Sequence, residues 1–267
     1  MPLKNHGFLS PDAEGCRENF ERVSSVLASG YLQLLEVHYR VLYSLKVPTS
    51  GGPLFTALLF LRALEFYQAA YVLVSRGMEN SGRVVVRSLA ETVFNLCAIV
   101  HHPGTLQQLA NAAELERLKT INRAQQSTLK SMKDWSNGPE MQMIQSELSE
   151  IVNEQKIRRL TVEEVSRRGG MHSWYDTVYS FLSKTSHSQI SDLERHVQFD
   201  ARDVVAGIIN GPEFGFSTML LGASVEAMAH ALEALGSAYD LDLSAETAEH
   251  FAFLRTIFDL PETQDDA

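Results

Sequence analysis

The sequence has few cysteines and lacks the short motifs that hold metals or nucleotide phosphates. Its 267 residues include two cysteines, Cys16 and Cys97, with no CxxC spacing, so neither a disulfide framework nor a zinc cluster is expected. There is no HExxH and no Glu-x-x-His pair, which argues against zinc-protease and di-iron sites. The phosphate-binding GxGxxG and GxxxxGK[ST] loops and the GxSxG turn are missing too. We therefore predict no metal and no cofactor.

Positive charge is also scarce. The chain carries 23 Lys and Arg against 33 Asp and Glu, a formal net charge of −10. Such a balance disfavours a non-specific grip on nucleic acid, which depends on cations that neutralise phosphates.

Long hydrophobic runs are nearly absent. The first fifteen residues lack the apolar core of a signal peptide. The most apolar stretch, residues 54–74, has Arg62, Glu65 and Gln68 in its middle, where a membrane-spanning helix tolerates charge poorly. We expect a buried core helix, no membrane association and a cytoplasmic location.

Helical periodicity dominates what remains, and no convincing alternating strand is found. The predicted fold is all-α, a multi-helix bundle in a single domain over residues 1–267, with a core of about 11–258 and a frayed acidic tail at 261–267. Helices are predicted over 11–46, 54–76, 82–101, 105–132, 140–158, 214–239 and 244–258. Thr161 and Glu164 match a capping box for a further short helix, and residues 174–183 form another. Residues 188–213 are not assigned.

Two polar stripes stand out on these helices. In the predicted helix 82–101, residues spaced by four form the first stripe: Arg83, Arg87, Glu91 and Asn95. Residues at this spacing share one helix face. The other faces are apolar, so the helix should be buried and its charges need partners. The second stripe, in WYDTVYSFLSKTSHSQ, consists of Tyr175, Tyr179, Ser183 and His187.

The stripes have two readings. If the two helices are adjacent, the stripes form a site. Alternatively, buried Arg–Glu pairs only fix helix register, and the tyrosines are core residues with a solvated hydroxyl.

Together with the HHPG stop (101–104) and the ELERLK run (114–119), these stripes resemble a bacterial family of unknown function. Its members combine an R-x-x-x-E helix with a Y-x-x-x-S-x-x-x-H pattern about ninety residues later. The matching positions here are Arg87, Glu91, Tyr179, Ser183 and His187, and the resemblance covers roughly residues 55–235.

More distantly, the chain looks like the HEPN superfamily of helical bundles, found in bacterial defence and toxin systems. That resemblance implies an HEPN-like bundle, a homodimer and a metal-independent endoribonuclease with an Arg-x4–6-His motif. The string from Arg167 to His172 fits this motif.

Three functions remain open. In the first, a ribonuclease in bacterial defence, His187 or His172 is the general acid or base, Arg87 or Arg167 steadies the phosphate, and Glu91 is a further catalytic candidate. In the second, a binding module, Arg83 and Arg87 bind a small anionic ligand beside the hydroxyls of the second stripe, those of Tyr175, Tyr179 and Ser183. The third is a non-catalytic interaction protein whose stripes only specify packing.

Overall fold

The chain is built from helices, as predicted. A computed structural model describes residues 6–46, 48–186, 193–209 and 211–259. The helices of its first half are α1 (Asp12–Val23), α2 (Ser25–Ser44), α3 (Gly52–Val74), α4 (Glu79–His101), α5 (Thr105–Gln125), α6 (Lys130–Ser136) and α7 (Pro139–Glu154).

The second half has shorter elements. They are α8 (Val162–Arg168), α9 (His172–Trp174), a π-helical turn (Tyr175–Tyr179), α10 (Ser180–Ser186), strands β1 (Val197–Phe199) and β2 (Val205–Ile208), α11 (Ser217–Tyr239) and α12 (Ser244–Phe258). Short 3₁₀ turns lie at Gly7–Leu9 and Glu194–His196. The capping box before α8 is confirmed, because the Thr161 hydroxyl accepts the Glu164 N–H and the Glu164 carboxylate accepts the Thr161 N–H.

Two predicted helices are each divided. The region 11–46 breaks at Ser24, whose backbone is not helical (φ −109°, ψ 43°). The region 105–132 breaks after Gln125, where the Ser127 hydroxyl accepts the Leu129 N–H. Serine competes in this way with the helical hydrogen-bond ladder, and helical periodicity alone does not show the break.

The unassigned segment 188–213 contains two short strands. β1 and β2 form an antiparallel pair in which Val197 lies opposite Ile208. The Asp200 carboxylate accepts the N–H groups of Arg202 and Val204 at 2.8 and 3.1 Å and so closes the turn between the strands. This Asx-type turn explains a hairpin in the segment that periodicity left unassigned.

Three long helices, α3, α4 and α11, form the centre of the fold and pack against one another. Their facing side chains are fully buried, among them Phe60, Tyr67, Leu89, Phe94, Leu220 and Leu235. α2 and α12 pack on one another, with α12 also against α11, while α8 and α10 cover α4. Helices α5 and α7 pair through a small apolar cluster of their own.

Helices α3 and α4 are long and apolar enough to cross a membrane, by length and composition. However, 44% of the α3 window and 50% of the α4 window are buried within the protein. The core helix of a soluble protein has the same character, so these two helices are weak evidence for a membrane span.

A pair of buried histidines joins α2 to α12. His38 and His250 are both fully buried, and their Nε2 atoms lie 2.7 Å apart. His250 Nδ1 lies 2.7 Å from the Glu246 carbonyl, which only accepts, so this nitrogen carries the hydrogen. When both rings are neutral, His250 Nε2 accepts and His38 Nε2 donates. The rings of Phe60 and Tyr67 meet His38 edge-on. Burial lowers the pKa of both histidines below the ordinary value of 6.5.

This pair predicts a loss of stability in mild acid. Below pH 6.5 the unfolded chain takes up protons that the buried pair does not, so the free energy of unfolding falls as pH falls toward the lowered pKa values. Between pH 7.5 and 5.5 we expect a loss of about 1.4 kcal/mol for each histidine that stays neutral. Urea unfolding at the two pH values measures it.

The double variant His38→Gln/His250→Gln should lose most of this pH dependence. His102→Gln, at an exposed position, should keep it. An equal pH dependence in the double variant and the wild type would show that other groups cause the loss.

Candidate functional site

The polar stripe of α4 passes from the core toward the surface. Arg83 is buried, and its guanidinium lies 5.0 Å from the Phe181 ring and 4.3 Å from the Phe216 ring. The side chain of Arg87 is 23% exposed and that of Glu91 is 36% exposed. Charge on this helix is therefore accessible at Arg87 and Glu91 but not at Arg83.

The segment from α8 to α10 runs back along α4. At its start Gly169 packs so closely on α4 that an added Cβ would lie 3.0 Å from the Cys97 Cβ. Further on, Trp174 meets the Phe94 ring edge-on at 5.8 Å, and Phe181 then reaches Arg83. This antiparallel course brings the second polar stripe onto the first.

The two stripes meet at Tyr179. Its hydroxyl donates to Glu91 Oε1 at 2.7 Å and accepts hydrogen bonds from Arg87 Nε and Nη2 at 3.2 and 2.8 Å. Arg87 Nη2 also lies 2.8 Å from Glu91 Oε1. Arg87, Glu91 and Tyr179 thus form a closed triad, in which each member contacts the other two.

The triad holds Tyr179 in its protonated form. Burial and the hydrogen bond to Glu91 raise the pKa of Tyr179 to about 12, although Arg87 acts in the opposite direction. At neutral pH the hydroxyl is therefore a hydrogen-bond donor. The triad fixes the position of the Glu91 carboxylate.

The second stripe is not a regular α-helix. Tyr175–Tyr179 is a π-helical turn, a feature that often marks functional sites. The rings of Tyr175 and Tyr179 still stack, with centroids 5.1 Å apart. Ser183 lies one turn further on, in α10 and half-buried. The predicted catalytic residue His187 lies outside the described residues.

The residues of the HEPN-type string have separate partners. Arg167, at the end of α8, pairs with Glu163 at 2.7 Å. His172, at the start of α9, lies 3.4 Å from Asp176. Between them Gly170 has a left-handed backbone (φ 75°). The string therefore crosses a turn, and each end contacts a carboxylate of its own helical segment.

A cleft adjoins the triad. It has a volume of about 290 Å³ and is enclosed by α4, α5 and the chain leading into α8. Its polar lining is Glu91, Asn95, Glu116 and Arg159, and its apolar lining includes Phe94, Leu109, Leu160 and Val162. Of the triad, Glu91 lines the cleft, whereas Arg87 and Tyr179 do not. The predicted ligand-binding residues Arg83, Tyr175 and Ser183 do not line it either.

Sequence reasoning missed Glu116 and Arg159. Both come from segments other than the two stripes, and neither belongs to a recognisable spacing. Glu116 falls in the ELERLK run (114–119), and Arg159 lies just before the capping box at Thr161, which fixes how the chain enters α8.

These features define a helical protein with a closed polar triad beside a small cleft. Residues 54–204 match the family described as "Family of unknown function (DUF5677)". Since this match covers more than half of the chain, the protein belongs to that family. No curated protein and no solved structure matches the chain. The sequence resemblance to a family of unknown function is thus confirmed.

The triad predicts different effects for two neighbouring tyrosines. Tyr179→Phe removes hydrogen bonds to two charged groups, each of which keeps the other as partner. We expect a loss of about 1–2 kcal/mol in the free energy of unfolding, measured by urea denaturation.

Tyr175→Phe is the matched control. Within the described part of the chain the Tyr175 hydroxyl makes no hydrogen bond, so the change should cost less than about 0.5 kcal/mol. Equal effects at the two positions would mean that the triad does not stabilise the fold.

Proposed function

We propose that the protein is a binding module whose cleft beside the triad holds a small polar ligand. One observation carries this proposal. Arg87 and Tyr179 both bind Glu91 Oε1, while Glu91 Oε2 makes no hydrogen bond within the residues that the structure describes. Glu91 lines the cleft, and a carboxylate that is held in place through one oxygen while the other has no partner is preorganised to accept a hydrogen bond from a ligand.

The cleft also suggests the chemistry of the ligand. Arg159 is exposed and, in the described part of the chain, has no hydrogen bond or ion pair. Glu91 would accept from an N–H or O–H group, and Arg159 would bind an anionic group. The sequence predicts an anionic ligand bound by Arg83 and Arg87. Because Arg83 is buried and Arg159 lines the cleft, Arg159 is the better candidate to bind the anionic group. A volume of about 290 Å³ fits a molecule the size of an amino acid.

A thermal-shift screen tests this function. The panel consists of amino acids, amino sugars and nucleoside monophosphates. A ligand at one hundred times its Kd stabilises the folded state by about 2.7 kcal/mol, so Tm should rise by roughly 5–10 °C. Titration calorimetry then gives the Kd of each hit for the wild type and for Arg159→Gln and Glu91→Gln.

Both variants should bind at least about tenfold more weakly, the loss expected for one charged hydrogen bond. Arg117→Gln, a change of the same charge at an exposed position outside the cleft, should bind as the wild type does. Hits that bind equally well to Arg159→Gln would place the ligand elsewhere, and a panel without hits would contradict the proposed ligand class.

We propose, as a second candidate, an HEPN-like cytoplasmic ribonuclease of bacterial defence that acts as a homodimer. One observation favours it. The His172 ring stacks on Tyr175 with centroids 6.1 Å apart, and Tyr175 stacks on Tyr179 of the triad. An imidazole suited to acid–base chemistry and the Arg87 guanidinium therefore lie along one connected row of side chains. The exposed apolar residues Phe55, Leu58 and Leu61 of α3 supply a surface for pairing.

This candidate predicts RNA cleavage in the presence of EDTA. Purified protein is incubated with total RNA and tRNA, and products are resolved on a denaturing gel. His172→Ala, His187→Ala and Arg87→Ala should each reduce cleavage by at least about a hundredfold if the residue is catalytic. Light scattering on the same samples should give twice the mass of the chain.

His102→Ala serves as the control, because His102 is exposed at the end of α4. Its cleavage rate should equal that of the wild type. RNA left intact by every sample, or cut equally by all, would reject the ribonuclease.

A further inference from the structure

A second, larger groove lies between α11 and α12. Its volume is about 1320 Å³, above the range of about 300–1,000 Å³ that is usual for small-molecule pockets. Both helices lie outside the residues matched by the family. The groove is distinct from the cleft beside the triad, because the two share no lining residue.

The groove follows the length of α12. The two helices run antiparallel, because a short turn joins them after Asp240, which has a left-handed backbone (φ 53°). Gly236 lets this turn approach α11 closely, since an added Cβ there would lie 2.9 Å from the Leu241 carbonyl oxygen. With 15 residues, α12 is about 22 Å long. A trough of this length suits an extended ligand such as a helix.

The lining of the groove is apolar with acidic side chains. Its apolar residues include Leu243, Phe251, Leu254 and Phe258. Its charged residues are four carboxylates and one cation, namely Glu226, Glu233, Asp240, Glu249 and Arg255. Of the carboxylates, Glu233 bonds to His230 at 3.2 Å, which lowers the pKa of Glu233.

In the described part of the chain, the other three carboxylates have no compensating partner. As far as the described residues extend, the side chains of Glu226, Asp240 and Glu249 have no hydrogen bond and no ion pair. Like charges gathered without partners beside an apolar surface favour a positively charged occupant.

The wall of the groove includes a residue that is almost completely buried. Thr247 of α12 lines the groove and is 8% exposed. Among the described residues its Oγ1 has no hydrogen-bond partner. This oxygen is shielded from solvent, so it belongs to the packing of α12 and offers no contact to an occupant of the groove.

We propose that this groove binds a basic amphipathic helix of another protein. The apolar face of the helix lies on the apolar lining, and its Lys and Arg side chains pair with Glu226, Asp240 and Glu249. Laying one face of a helix into an apolar groove is a recurring mode of peptide recognition. Small cations fit less well, because they leave the apolar lining uncovered.

The test uses a defined peptide and the full chain. The probe is a fluorescein-labelled 18-residue peptide of Leu and Lys, with leucines spaced for one face of a helix. One comparison peptide has the same composition in scrambled order, and a second has Glu in place of Lys. Fluorescence anisotropy is measured with the triple variant Glu226→Gln/Asp240→Asn/Glu249→Gln and with Ala248→Lys, which places a cation at an exposed position in the groove.

We expect the Leu/Lys peptide to bind the wild type and to bind the triple variant and Ala248→Lys at least about tenfold more weakly. The matched control, Glu140→Gln/Glu147→Gln/Glu150→Gln, makes the same change in net charge at exposed positions of α7. It should change the Kd less than about twofold.

Other results would overturn the proposal. Equal weakening by the two triple variants, or equal binding of the scrambled peptide, would show only diffuse attraction to an acidic protein. Binding of the Glu peptide would exclude charge recognition. Spermine is also added to the wild type and to the triple variant of the groove. If spermine displaces the peptide from the wild type at concentrations that leave the weaker binding to that variant unchanged, the groove is a site for organic cations. None of these results bears on ligands of the cleft, whose lining residues are different.

Discussion

The burial of α4 determines most of the structure. This helix is apolar on nearly every face, and α3, α11, α8 and α10 cover it. Its polar stripe is buried at Arg83 and partly covered at Arg87 and Glu91. A buried guanidinium or carboxylate without partners would cost several kcal/mol. The aromatic rings around Arg83 and the hydroxyl of Tyr179 meet this requirement. The triad is thus first a consequence of folding, and its use as a site depends on the cleft beside it.

How far the sequence predicts the fold and the site depends on whether a feature is local. The apolar faces of α3 and α4 and the capping box at Thr161 are set by residues a few positions apart, so their patterns are readable. The need of Arg87 and Glu91 for partners was readable as well. The second stripe offered tyrosine partners if the two helices were adjacent. That they are adjacent, and that Tyr179 rather than Tyr175 is the partner, was not readable, because the packing of Gly169 on α4 and the π-helical turn decide it. Arg159 and the pair of His38 with His250 join distant segments and leave no spacing signal.

Charge is distributed unevenly between the two concave surfaces. The cleft beside the triad has two carboxylates and one arginine, so it suits a ligand with groups of both signs. The groove between α11 and α12 has four carboxylates and one arginine and suits a cation. A net charge of −10 alone does not distinguish these cases, since net charge governs encounter and solubility rather than the specificity of one site.

Glu79 links the helices that carry the two surfaces. It is the first residue of α4 and is 2% exposed, and its Oε1 accepts the Phe216 N–H at 2.6 Å and the Ser217 hydroxyl at 3.2 Å at the start of α11. At the start of a helix the N–H groups have no partner within the helix, and a carboxylate accepts their hydrogen bonds. The negative charge also interacts favourably with the positive end of the helix dipole. One turn further along α4, Arg83 packs on Phe216 itself. The helix that carries the triad and the helix that forms the groove are therefore joined by a buried polar contact, and neither can shift at that end without breaking it.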